Sequence, residues 1–410
     1  MRPHPIPEPA ADRAQAPVQG VPLRAAIAIP ARDEASRLPA CLAALAAQHK
    51  GAARCLDRGT TVLVLANNCG DGTAALARSL ASSLPFRLVV REVALPPPRA
   101  HAGGARRAAM DAAAALLDEA GAPPAVALLS TDADGRAAPG WLAANLAALA
   151  AGADAVAGRI EPDPAEVDLL PPALRAREAR EARYATLLDE MAALVDPDPH
   201  DPWPRHSVHS GASIALTLGA YRRVGGLPPV PVCEDRALFE ALLRAEMRVR
   251  HCPAARVTVS CRLDGRAAGG MADTMRRRIA EADAAPVDPR LEPALDALLR
   301  LRCRRALRRL RAGAPRPGDP LRLALALGLR PAALMALAGL PGFWRAWDAL
   351  QAQAWPLRRH RVVTAGGLEG ETRRAAAILR ILRGARAALG ERRLLMPSVP
   401  RLSGAEPSRA

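Results

Sequence analysis

The stretch TTVLVLANNCGDGTAALARSLA, residues 60–81, places an apolar run, a polar turn and a helical pattern in immediate succession. The apolar run at 61–66 is predicted to be a strand, because it is short and bounded by turn residues. Two glycines follow in the turn, and a helix is predicted to begin at Thr73. A strand that leads directly into a helix is the unit from which parallel sheets are built.

The same unit recurs on both sides of this stretch. An apolar run at 25–29 is predicted to be a strand that Pro30 ends, and Ser36 is placed to cap the helix that follows. Further strands are predicted at 87–93, 125–134 and 153–160, with helical patterns between them. The sequence therefore predicts an α/β fold whose mainly parallel sheet carries helices on both faces.

Polar residues follow three of these predicted strands. They are the segment 30–34, the pair 67–68, and Asp132 with Asp134. Because sheets of this kind bind ligands at the carboxyl ends of their strands, the three clusters are predicted to form one site.

Asp132 and Asp134 are two residues apart and are predicted to face the same side of the chain. Two such carboxylates repel each other, so either a cation lies between them or one stays protonated. No dinucleotide fingerprint follows the first strand and no P-loop occurs, so a divalent cation is the predicted phosphate holder and Lewis acid. Arg106, in a helix opened by two glycines, is placed either to reach phosphates or to face solvent.

A second acidic pair, Glu234 and Asp235, is predicted to open a helix. Before it, residues 162–205 are rich in Pro and Asp at both ends, with a charged helix between, and are predicted to leave the sheet. His209 and His251 are predicted to be structural or exposed residues rather than metal ligands.

Five stretches together resemble the inverting family 2 glycosyltransferases of the GT-A fold, over roughly residues 23–270. They are AIAIPARDEASRLPACLAAL, VLVLANNCGDGT, STDADGRAAPGWL, SGASIALTLGAYRRVGGLP and EDRALFEALLRAEMRV. Each stretch alone is a weak signal, but all five occur in the order and at the spacing of the family. The resemblance implies transfer of a sugar from a nucleoside diphosphate sugar to an acceptor hydroxyl, by an enzyme of the hexosyltransferase type.

The resemblance also implies roles for single residues. Asp132-Ala133-Asp134 looks like the D-x-D motif of the family, in which Asp134 would ligate Mg²⁺ or Mn²⁺ on the donor diphosphate. Asp132 would contact the ribose or the metal shell, and Asp235 would be the base that deprotonates the acceptor hydroxyl. The positions that match the nucleotide-binding segments are Pro30, Ala31, Arg32, Glu34 and Asn67, to which Arg106 is added as a phosphate-binding candidate.

Several positions depart from the family pattern. Asn67 stands where an acidic residue often contacts the base, which leaves UDP and GDP both open, and Ser213 stands where Asn is usual. No Q/R-x-x-R-W motif occurs, so a single, non-processive transfer is expected. The segment 260–270 resembles the end of the domain in a bacterial subset of the family.

The positive charge of this 410-residue chain is concentrated at one end. The net charge is +16, of which residues 286–410 carry +15. A basic amphipathic helix at 299–312 is compatible with contact to an anionic membrane or a lipid-linked, cell-envelope acceptor. It is also compatible with packing on its own domain, or with an acidic partner or RNA. Aromatic residues make up only 2% of the chain, which makes nucleic acid an unlikely ligand.

The chain is predicted to comprise four parts. Residues 1–22 and 396–410 are predicted to be disordered, 23–285 to be the GT-A domain, and 286–395 a basic helical region. The first twenty residues lack the apolar core of a signal peptide, and Arg and Pro interrupt the apolar segment 321–344. The expected location is therefore the cytoplasm, with peripheral contact to the inner face of the membrane as an option.

Two other functions stay open at this stage. A nucleotidyltransferase also uses paired carboxylates and a metal on an α/β sheet, although its Gly-rich, Lys-containing loop is missing here. A basic binding or scaffold protein could retain a degenerate transferase domain; its function would depend on the C-terminal third alone.

Overall fold

The computed structural model describes residues 24–50, 53–54, 59–266, 268–315, 317–358 and 361–394. The segments predicted to be disordered, 1–22 and 396–410, lie outside these residues. The strands are β1 (Ala25–Ala31), β2 (His49–Lys50), β3 (Ala53–Arg54), β4 (Thr60–Asn67), β5 (Arg87–Val93), β6 (Ala127–Ser130), β7 (Arg136–Ala137), β8 (Ala155–Pro162), β9 (Ile214–Thr217) and β10 (Val249–Val259).

Fourteen helices occur in the described part of the chain. They are α1 (Leu38–Ala46), α2 (Thr73–Leu80), α3 (Ala102–Glu119), α4 (Trp141–Ala150), α5 (Pro164–Val167), α6 (Pro172–Val195), α7 (Leu218–Arg223), α8 (Glu234–Arg244), α9 (Met271–Glu281), α10 (Ala294–Arg311), α11 (Asp319–Leu327), α12 (Pro331–Ala338), α13 (Phe343–Gln353) and α14 (Leu368–Leu394). The helix predicted from Thr73, the charged helix of the excursion and the helix opened by Glu234 are all confirmed.

Eight strands form one sheet in the order β5-β4-β1-β6-β9-β8-β10-β7. The neighbours β5, β4, β1 and β6 run parallel, and so do β8 and β10. Strand β9 lies antiparallel between β6 and β8, and the short β7 pairs antiparallel with β10. The mainly parallel sheet is therefore confirmed, with an antiparallel strand inserted at its centre.

Side chains of the buried strands alternate between two cores. In β1, Ile27 and Ile29 pack with Leu42 of α1 on one face, while Ala26 and Ala28 pack with α3 on the other. Helices α1, α2 and α4 contribute to the first core, and α3, α7 and α8 to the second. Helices on both faces of the sheet were predicted, and this is confirmed.

Two local predictions for the first unit are wrong. Strand β1 continues through Pro30 to Ala31. Its neighbour β6 pairs with it only as far as Ala28. Because no strand pairs with β1 on the β6 side at Pro30, the missing N–H of Pro30 removes no hydrogen bond on that side. Ser36 does not cap α1, whose first residue, Leu38, instead donates its backbone N–H to the carbonyl of Glu34 at 2.9 Å.

The C-terminal helices pack in two clusters. One joins Tyr184 of α6 to Leu301 of α10 and Leu379 of α14. The other is formed by α10, α11, α12 and α13. The second cluster is attached to α8, since Arg244 Nε lies 3.1 Å from Asp348 Oδ2. Whether 286–395 folds as a separate domain stays a prediction.

Most arginines of α10 make contacts within the chain. Arg304 and Arg308 both pair with Asp196, and Arg309 Nη2 lies 3.1 Å from Asp319 Oδ2. This favours packing on the protein itself over a membrane contact through 299–312. Among the described residues no single helix is long and apolar enough to cross a membrane; α11 and α12 reach that length and composition only together, with a bend of 103°.

Candidate active site

The loops that follow β1, β4 and β6 meet at an open cleft. Of the predicted site residues, those that line it are Pro30, Arg32, Glu34, Asn67, Arg106, Asp132 and Asp134. Its lining also includes Ser260, Arg262, Arg266, Met271 and Met275. The three polar clusters predicted to form one site therefore lie together. Ala31 and Asp235 do not line the cleft.

Ala31 and Asn67 are joined behind the cleft wall. Asn67 Nδ2 donates to the backbone carbonyl of Ala31 at 2.9 Å, and the Asn67 side chain is buried. One N–H of the Asn67 amide is used in this bond, which leaves its carbonyl Oδ1 and its second N–H for a ligand.

Asp132 and Asp134 lie in the turn after β6, which ends at Ser130, so the predicted strand through residue 134 is too long. Both aspartates nevertheless line the same cleft, with the buried Ala133 between them. An arginine lies against each carboxylate. Asp132 Oδ1 accepts a hydrogen bond of 2.6 Å from Arg106 Nη2, and Asp134 Oδ2 lies 3.2 Å from Arg262 Nη2.

Asp134 has an unusual protonation equilibrium. Burial and the neighbouring Asp132 raise its pKa to about 6, although Arg262 acts in the opposite direction. It accepts no hydrogen bond from the residues that the structure describes, so its oxygens are available to another ligand. A divalent cation would relieve both the burial of charge and the repulsion, and the pair Asp132 and Asp134 therefore fits such an ion.

Another group of potential metal ligands, Asp33, Cys69 and Asp71, lies in the loops after β1 and β4. Its carboxylates already accept backbone hydrogen bonds. Asp33 Oδ1 binds the N–H of Gly70 at 2.7 Å, and Asp71 Oδ2 binds the N–H of Ala35 at 2.9 Å. These bonds hold the two loops together at the edge of the cleft.

Arg106 connects the two acidic pairs. Its guanidinium is buried and donates to Asp132, to Glu234 Oε1 at 3.0 Å, to Ser130 Oγ at 3.2 Å and to the Gly211 carbonyl at 2.9 Å. Burial lowers its pKa, but the carboxylates of Asp132 and Glu234 outweigh this and leave the pKa raised, so it remains charged. The alternative of a solvent-facing Arg106 is wrong.

Asp235 lies in the first turn of α8, next to Glu234 and outside the set of residues that line the cleft. Its Oδ2 accepts from the N–H of Gly211 at 2.9 Å, and its Oδ1 accepts from the N–H of Arg236 at 2.6 Å. Burial and the adjacent Glu234 raise the pKa of Asp235. Because Arg106 binds the carbonyl of Gly211, one glycine links the Asp235 carboxylate to the arginine that holds Asp132.

Residues 26–201 match the family model of glycosyl transferase family 2. This segment of the chain carries a glycosyl transferase family 2 domain. The predicted family, the GT-A-like α/β fold and the assignment as a glycosyltransferase are thereby confirmed, and the nucleotidyltransferase alternative is set aside. No curated protein matches the chain by sequence.

Solved structures overlap with this transferase loosely. TarS of S. aureus gives a TM-score of 0.40 at 12% identity, over 82% of this chain and 54% of that one. The structure of S. aureus TarS 1-349 in complex with UDP-GlcNAc gives a TM-score of 0.42 at 12% identity, over 80% of this chain and 91% of that one. The mannosyltransferase PcManGT of Pyrobaculum calidifontis, in complex with GDP-Man and Mn²⁺, gives a TM-score of 0.35 at 18% identity. The match covers 82% of this chain and 86% of that one. Overlaps of this quality do not transfer a ligand or a residue role.

Two residues of the transferase site were missed from the sequence. Arg262 forms a two-pronged pair with the buried Glu34, and its Nη1 donates to Glu34 Oε2 at 2.9 Å. It thereby joins the segment after β10 to the loop after β1, 228 residues earlier. Glu234 holds Arg106, whereas only its neighbour Asp235 was assigned a role. The resemblance of 260–270 to a family segment was the signal available for Arg262.

Proposed function

We propose that this transferase moves a single sugar from a nucleoside diphosphate sugar to an acceptor hydroxyl, with inversion and with a divalent cation at Asp134. The observation that supports this most is the convergence of Asn67, Asp132 and Asp134 on one cleft at the carboxyl edge of the sheet. An edge of this kind binds nucleotides in other α/β proteins.

The nucleoside is proposed to lie against the loops after β1 and β4. Pro30 and Arg32 provide the wall, and the free Oδ1 of Asn67 can accept an N–H of the base. Both uracil and guanine offer such an N–H, so this contact is compatible with either base.

The diphosphate is proposed to lie beside Asp132 and Asp134. A Mg²⁺ or Mn²⁺ ion bound there would neutralise the diphosphate and stabilise it as a leaving group. Arg266 also lines the cleft and adds positive charge there, whereas the charge of Arg262 is shared with Glu34 and Asp134. Arg106 holds Asp132 in place, so it acts on the donor site through that carboxylate rather than as a free phosphate ligand.

Asp235 is the proposed base. It takes the proton of the acceptor hydroxyl while that oxygen bonds to the anomeric carbon and the bond to the diphosphate breaks. One displacement of this kind inverts the configuration at the anomeric carbon. The raised pKa of Asp235 brings the carboxylate closer to the proton affinity that a base needs near neutral pH.

Calorimetric titration tests the donor site. We expect wild-type protein to bind UDP or GDP in the presence of Mn²⁺ and to lose this binding in Asp134→Asn. Asp168→Asn is the matched control, because Asp168 is an exposed carboxylate outside the cleft that pairs with Arg175. Asp235→Asn should keep nucleotide binding and lose turnover, since it removes the base and leaves the donor site.

A folded wild-type sample that binds neither nucleotide would contradict the proposal. It would favour the scaffold alternative, in which Asp134→Asn changes nothing and removal of residues 286–410 abolishes function. The acceptor is proposed to be a lipid-linked or cell-envelope molecule met at the inner face of the membrane, in keeping with the +15 charge of the C-terminal third.

A further inference from the structure

Helix α12 has the sequence PAALMALA, without a single polar side chain, yet it lies at the surface. Leu334 and Leu337 are buried, whereas Ala332, Met335 and Ala336 are exposed on the outer face. A helix that is apolar all round is usually buried on all sides. The outer face of α12 is therefore an apolar surface that the described residues leave uncovered.

Helix α11 extends this surface. Leu321 and Leu325, one turn apart, are 55% and 71% exposed, while Leu323 on the inner face is buried. Helix α11 also packs against the turn at Trp355–Leu357, where Trp355 is 66% exposed. We name Leu321, Leu325, Met335 and Trp355, with the helices that carry them, the apolar cap. Contiguous exposed apolar side chains of this kind mark contact surfaces.

The exposed charged side chains beside the leucines of the apolar cap are arginines. They are Arg322 on α11 and Arg330, the residue that immediately precedes α12. The acidic residues of the segment 317–358 are Asp319 and Asp348, and both are engaged in ion pairs with arginines. An apolar face with an arginine rim is the pattern of helices that lie in the interface of an anionic membrane.

We propose that the apolar cap docks this transferase onto an anionic lipid surface. Leu321 and Leu325 enter the acyl region, and Arg322 and Arg330 bind the headgroups. The 103° bend between α11 and α12 suits helices that lie along a surface. A second copy of the chain is a poor occupant, because a symmetric contact would bring the arginines of both rims together.

The apolar cap is connected to the catalytic domain through two helices. Helix α12 packs against α13, where the backbone N–H of Trp344 donates to Glu246 Oε1 at 3.0 Å, just beyond the end of α8. Helix α8 begins at Glu234, the partner of Arg106, and spans about 16.5 Å. Docking through the cap would therefore bring the catalytic domain to the membrane surface.

Vesicle flotation with the full chain tests the proposal. We expect wild-type protein to float with vesicles that contain phosphatidylglycerol and not with pure phosphatidylcholine. L321E/L325E should reduce the bound fraction at least tenfold, since it places two carboxylates in the inserted face. I381E is the matched control, because Ile381 is 73% exposed on α14 outside the apolar cap, and it should bind as wild type does.

Two results would overturn the proposal. Wild-type protein could fail to float with anionic vesicles, or L321E/L325E could float as well as wild type. In the second case, loss of a dimer seen by light scattering in L321E/L325E would assign the cap to self-association. Circular dichroism checks the fold of each variant, and the single substitution L325Q decides the question if the double variant does not fold.

Discussion

Replacement of Arg106 by Met is expected to weaken the fold of this transferase more than loss of any surface ion pair. Met has nearly the length of Arg and fills the buried volume without the charge. The change leaves the Asp132 and Glu234 carboxylates without their cation, and it leaves the Gly211 carbonyl and the Ser130 hydroxyl without a donor. Glu234 is affected most, because its side chain is buried.

The size of the loss follows from the burial of the two carboxylates. Removal of one partner from a buried ion pair costs about 3–5 kcal/mol, because an unpaired charge remains in a poorly hydrated place. The side chain of Asp132 is one-third exposed, so water can hydrate it in the variant. We therefore expect about 3 kcal/mol, mainly from Glu234. A domain stability of about 5–15 kcal/mol would leave the variant folded.

Urea denaturation followed by circular dichroism measures this loss, provided that the m-value stays the same. Arg78→Met is the control, since the Arg78 pair with Glu92 is exposed and such pairs contribute about 0–1 kcal/mol. The double variant R106M/E234Q should lose less than the sum of its single variants, because it removes the charge left behind. Equal decreases in the free energy of unfolding in R106M and R78M would refute the reasoning.

Three further predictions concern stability. Burial, with repulsion from His251, lowers the pKa of His206 to about 3. The folded state therefore binds fewer protons at this site than the unfolded state does. As the pH decreases from 6.5 toward 3, the free energy of unfolding should decrease by about 1.4 kcal/mol per pH unit. The urea midpoints at pH 7 and pH 5 should differ less in His206→Asn than in the wild-type protein. An equal difference in the two proteins would contradict this prediction. Gly158→Ala should lower the free energy of unfolding, measured by thermal unfolding, by about 1–3 kcal/mol, because the added Cβ would overlap the Ser213 hydroxyl. Gly384→Ala should raise the free energy of unfolding by about 0.5–1 kcal/mol, because Gly384 lies in helix α14 with open space around it.

Local features of the chain were enough to predict the strand–helix units and the edge at which the site lies. The apolar run at 60–67 and the helix from Thr73 follow from residue types a few positions apart. Because parallel strands end at one edge, the polar residues after β1, β4 and β6 had to meet, although they are far apart in sequence. The family match over 26–201 agrees with this inference.

Tertiary packing decided which charges neutralise each other. Nothing in the local sequence distinguishes Arg106 from the solvent-facing arginines of a helix, yet packing of α3 on the sheet buries it between Asp132 and Glu234. The pairing of Arg262 with Glu34 spans 228 residues and depends on where the segment after β10 crosses the cleft. A carboxylate in the sequence indicates a need for a cation, but the partner is chosen by distance and burial, which exist only in the folded chain.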